Sequence, residues 1–186
     1  MAEIKSALEI AMERAEKIGS LSREELDAQK WEERGKKTAA AFINGKLGSL
    51  REGLKDVPGE YIQAVLTGAS DILLRNIVLP RDPHQWESIR RAMEGLVEIK
   101  GSIASQVMPQ IEQLLKNYEK TMDHYKQQFK QQVTQAMGNQ DMATMQMNSE
   151  GLNALASMQE EWNKLSGEIT QQFEQQLQPL KAYLRQ

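Results

Sequence analysis

At 186 residues with a net charge of −3, the chain is long enough to bury a sizeable core and lacks the basic excess of a nucleic-acid binder. It has no cysteine, which excludes disulfides, thiolate metal sites and cysteine nucleophiles. Hydrophobic residues make up 40% and charged residues 26%; no run reaches the ~18 apolar residues of a membrane span and no signal-peptide pattern is present, so a folded cytoplasmic protein with no membrane contact is expected.

The first expected helix covers residues 3–18, where Ile4, Ala7, Leu8, Ala11, Ala15 and Ile18 trace one buried face. Gly19 and Ser20 end it. Ser22 and Glu25 then form a capping box for a polar helix reaching Ile43, with Trp31, Ala39 and Phe42 as buried contacts and Asn44-Gly45 as its stop. Ser49 and Glu52 make a second box for a short helix ending at Val57, before a turn at Pro58-Gly59. Residues 60–78 are apolar on more than one face, through Ile62, Val65, Leu66, Ala69, Ile72, Leu73 and Ile77. That suits the central helix of a small N-terminal helical bundle over 1–79.

The run Leu79-Pro80-Arg81-Asp82-Pro83 is the sharpest boundary in the chain. Pro80 disfavours helix at Leu79, Asp82 followed by Pro83 reads as a helix start, and Gln85 completes a box with Asp82. From there Ile89, Met93, Leu96, Ile99, Ile103, Val107, Ile111, Leu114, Tyr118, Met122, Tyr125, Phe129, Val133 and Met137 recur about every 3.7 residues, closer to the straight-helix value than to the 3.5 of a tight left-handed coil. A second series, Leu152, Leu155, Met158, Trp162, Leu165, Ile169, Phe173, Leu177, Leu180 and Leu184, has the same rhythm. The expectation is an all-α protein whose residues 83–186 form a long antiparallel helical hairpin, coiled-coil-like, with its turn near 138–148. A first arm of residues 83–137 would span roughly 80 Å, unless Pro109 or Gly101 folds it back. Pro109 is expected to kink it, because it lacks an N–H and its ring meets the carbonyl of Ser105. Counted outward from Gly138-Asn139, the second arm would return to about Ala92.

Residues 1–100 hold 33 charged side chains and residues 101–186 only 16, with glutamine replacing charge on the later helices. The methionines around the expected turn, Met137, Met142, Met145 and Met147, are the candidate partner-binding residues. Methionines here first of all close the end of a hydrophobic seam; flexible thioethers can also adapt to apolar client segments, or, least favoured, hold Cu(I). His124 lies near Asp123 and Glu119, but the Glu-x-x-His spacing of a carboxylate-bridged metal site fails because residue 121 is Thr121. His84, the pairs Glu32-Glu33 and Glu160-Glu161, and the group Arg75, Arg81, Arg90 and Arg91 all read as solvated or internally paired surface. No nucleophile–base set, P-loop or dinucleotide motif can be assembled.

The stretch DILLRNIVLPRD at 71–82, followed by RAMEGL at 91–96, resembles one found in small uncharacterised all-helical bacterial proteins, and the start MAEIKSALE is similar too. The resemblance implies a bacterial cytosolic origin and a domain of unknown function, and it transfers no site residues. Residue by residue, the expected function is a non-enzymatic scaffold or adaptor acting on protein partners without a cofactor, as a homo-oligomer that covers Val97, Met108 and Leu115. A holdase or secretion-type chaperone with a methionine-rich tip is the alternative, and a metal-binding helical bundle the third.

Overall fold

The computed structural model describes Leu8, Met12 and residues 23–137 and 149–185. Every regular element among them is a helix, so the all-α expectation holds. Leu8 and Met12 are both helical and both exposed, although the sequence pattern set Leu8 on a buried face. The chain divides into two compact units, Met1–Leu73 and Leu74–Gln186.

In the first unit, α1 (Arg23–Ile43) stops as its sequence requires. Gly45 has φ 73°, the N–H of Lys46 donates to the carbonyl of Ala41, and that of Gly45 to Phe42. This paired closure satisfies carbonyls that the helix end would otherwise leave bare. The short α2 (Leu50–Gly53) begins after Ser49, which takes the N-cap position without a side-chain cap bond, and stops well before Val57. A 3-10 turn at Gly59–Tyr61 leads into α3 (Ile62–Asn76). Helices α1 and α3 cross at backbone contact: a Cβ on Gly35 would collide with the carbonyl of Val65, and one on Gly68 with the carbonyl of Glu32. Trp31 stacks on Tyr61 at 5.7 Å, with the Arg34 guanidinium 5.0 Å from the indole. Ala39, Phe42, Leu50, Val65 and Ala69 fill the space between.

The second unit contains α4 (Gln85–Lys100), α5 (Ser102–Met137) and α6 (Ser149–Arg185). The start of α4 uses the residues expected of it, shifted along. The Asp82 carboxylate accepts the His84 N–H at 2.9 Å, and the Gln85 side-chain oxygen accepts the Arg81 N–H at 2.7 Å. Gly101, at φ 58° and ψ −125°, then ends α4 in a conformation suited to glycine alone. The chain reverses there. Trp86 donates its indole N–H to Glu119 at 3.0 Å, across 33 residues that a continuous helix would hold about 50 Å apart. The single first arm over 83–137 is therefore two helices of 16 and 36 residues. Pro109 does not break α5, which runs through it; Pro109 and Ser105 are both exposed, so the carbonyl deprived of its helical donor faces solvent.

Helices α5 and α6 pair in opposite senses, since Tyr118 meets Phe173 edge-on at 5.4 Å and Phe129 meets Trp162 at 5.3 Å. Leu184, near the end of α6, and Val107, near the start of α5, are both buried. Met108 and Leu115 are buried within the single chain, and Val97 is half-buried. Just past the end of α3, the Ile77 carbonyl accepts the Lys181 ammonium at 2.9 Å. Burial pushes that amine below its ordinary value, against the opposing pull of Glu174.

Candidate functional site

The burial pattern of α5 and α6 changes where α4 starts. Up to Tyr118 the stripe of α5 (Ala104, Val107, Ile111, Leu115, Tyr118) is buried, and so are Ile169, Leu177 and Leu184 of α6. From 119 to 135 on α5 and from 156 to 168 on α6 no side chain is fully buried, although the apolar spacing continues through Met122, Tyr125, Phe129, Val133, Met158, Trp162 and Leu165. These residues are half-covered, and they lie beyond the Trp86–Glu119 bond, where α4 begins.

A groove of about 910 Å³ opens at this point, with residues 80–83 among those that line it. Tyr118, Met122, Trp162, Ser166, Gly167 and Thr170 are among the side chains that line it, with Arg81, Glu119, Asp123, Lys126, Asn163 and Gln171 supplying its charged and amide groups. Small residues on α6 leave it room: a Cβ added at Gly167 would meet nothing within 4 Å. Its inner hydrogen bonds have a fixed direction. Thr170 donates its only hydroxyl proton to the Ser166 carbonyl at 2.7 Å, so at 3.2 Å the Tyr118 hydroxyl is the donor and Thr170 the acceptor. Glu119 is held by Trp86, whose ring lies 5.9 Å from the Arg90 guanidinium. The groove thus offers an apolar and aromatic floor flanked by both signs of charge, a surface for an amphipathic segment more than for one small anion or cation.

The residues singled out from the sequence distribute differently. Met142, Met145 and Met147 lie outside the described residues, as does the side chain of Met137, whose backbone ends α5. His124 is exposed on α5, 3.1 Å from the amide nitrogen of Gln128 and edge-on to Tyr125, away from the groove. His84 is exposed at the start of α4. Of the four arginines, Arg91 pairs with Glu87 at 3.8 Å, Arg90 lies over Trp86, and Arg81 reaches the groove. Among the described residues no three His, Cys, Asp or Glu side chains gather as metal ligands, and no helix is long and apolar enough to cross a membrane. The groove itself was not foreseen. Its one signal in the sequence was the passage from Met108 and Leu115 to Glu119 and Lys126 along one flank of α5.

No curated protein and no solved structure matches the chain. The stretch from 71 to 96 that resembled uncharacterised all-helical proteins falls inside a longer match. Residues 51–186 fit the family of unknown function DUF6657, and since that span is well over half of the 186 residues, the protein belongs to this family.

Proposed function

We propose that this chain is a non-enzymatic, cytoplasmic scaffold or adaptor, in which α5 and α6 form an antiparallel helical hairpin turning within 138–148. Its groove beyond the start of α4 receives an amphipathic helix of a protein partner. One observation supports this above others: the apolar stripes of α5 and α6 continue past the point where their third helix stops, so Met122, Phe129 and Trp162 stay half-covered. A docked helix would extend along α5 the cover that α4 gives it up to Glu119, following the helix-in-groove mode of recognition. The small residues Ser166, Gly167 and Thr170 let its backbone approach α6.

A photocrosslinking amino acid at Asn163, in the groove, is the test, with one at exposed Glu160 as reference. The expected result is a discrete adduct from position 163 in native cells, weak or absent from 160, and lost when Gly167→Leu fills the groove without changing helical content. Equal adducts at both positions, or an adduct indifferent to Gly167→Leu, would remove the groove as the interaction surface.

A further inference from the structure

We propose that Gly101 is a hinge through which two copies of this chain exchange α4 and the residues before it, giving a dimer in which α4 and α5 run on as one helix. This goes beyond the adaptor reading and does not depend on it. Four features of the junction carry it.

The connection is a single residue, from Lys100 at the end of α4 to Ser102 at the start of α5. So short a reversal is the kind of hinge that favours exchange of an element between identical chains. The apolar register also crosses it without a change of phase: buried Ile89, Met93 and Leu96 are followed by buried Ala104, Val107 and Ile111 at helical steps. Sequence pattern therefore supports the straight form as well as the folded one. The helical ladder is already built up to the hinge on both sides, because the Gly101 N–H donates to Val97 and the Ser105 N–H to Gly101, each at 3.0 Å. Straightening gives the first-turn N–H groups of Ser102, Ile103 and Ala104 the carbonyls of residues 98–100, which a helix start otherwise lacks. Finally, Ile103 is 47% exposed at the outside of the turn, an apolar side chain where the two copies would meet.

Exchange re-forms each contact across the hinge with the neighbour instead of the same chain, the Trp86–Glu119 and Lys181–Ile77 bonds included. The fold about Gly101 becomes a two-fold axis, and the balance is set by what the reversed form demands of residue 101. Glycine accepts φ 58°; alanine resists it and prefers the helix.

The experiment compares the wild type with Gly101→Ala by light scattering over a concentration series. Because the chain has no cysteine, E87C/K120C attaches two spin labels to it alone. Diluted tenfold with unlabelled protein, these report the separation within one chain. We expect Gly101→Ala to tighten dimerisation at least tenfold, and the intrachain separation to lengthen from that of the folded pair to about 50 Å. A variant that stays monomeric at every concentration overturns the proposal, as does a dimer that keeps the short separation. If Gly101→Ala loses its helical signal, the wild type decides, compared at high concentration with a variant carrying Gly-Ser-Gly-Ser after Gly101. A long-separation dimer in the wild type, reduced by the insertion, supports exchange; its absence in the wild type, or its persistence undiminished with the insertion, refutes it.

Discussion

Along α5 and α6, residues near Leu115 and residues near Phe129 share one apolar rhythm and meet different fates. Beside α4 the stripe is buried; past Glu119 the same spacing yields side chains only half-covered. Helix propensity and periodicity are alike in the two segments, so neither decides which becomes core. What lies alongside does, and on α5 the change falls where α4 begins, at the Trp86–Glu119 bond. Chemistry on the flank of α5 records the change, since buried Met108 and Leu115 give way to Glu119 and Lys126, which line open space.

The largest expected effect sharpens this contrast directly. Leu115→Ala removes a fully buried side chain and should cost about 2–5 kcal/mol in urea denaturation. Phe129→Ala, in the half-covered segment, should cost only about 1 kcal/mol, since less of its surface leaves water on folding. Equal losses would break the comparison. Tyr118→Phe sits at the border between the segments and deletes one hydrogen bond to Thr170 while keeping the edge contact with Phe173. About 0.5–1.5 kcal/mol is expected, and no measurable change would mean the bond adds no net stability.

The smallest effect concerns pH. The Lys181 amine titrates lower in the folded chain than its ordinary 10.5, first through burial. Between those two values the unfolded chain binds more protons there, so this group makes stability rise with pH across that window. Relative to Lys181→Met, the wild type should therefore gain slightly in stability as pH climbs toward 10.5. A flat or falling difference would contradict the assignment.

Much of the helical framework was legible in sequence. The stop at Asn44-Gly45 and the cores around Phe42 and Ile111 follow from local chemistry that tertiary packing does not overrule. Gly101 shows where such reading fails. A glycine after Lys100 is a proper helix-end signal, yet the unbroken spacing from Leu96 to Val107 pointed to one long helix, because a reversal that keeps phase leaves no mark in periodicity. The crossing of Gly35 and Gly68 was equally silent: each reads alone as a helical blemish, and only the pair has meaning. The groove depended on how far α4 extends along α5, a long-range fact that one chain's spacing does not contain. Of the three residues set beside the main seam, Met108 and Leu115 found cover inside the chain and Val97 is half-buried.

The bond between Lys181 and the carbonyl of Ile77 joins groups 104 residues apart. During synthesis, then, the opening stretch of the second unit must wait for nearly all that follows it. Until Lys181 has been made, the Ile77 carbonyl lacks this partner, and a product cut short before α6 would leave that carbonyl to bond with water.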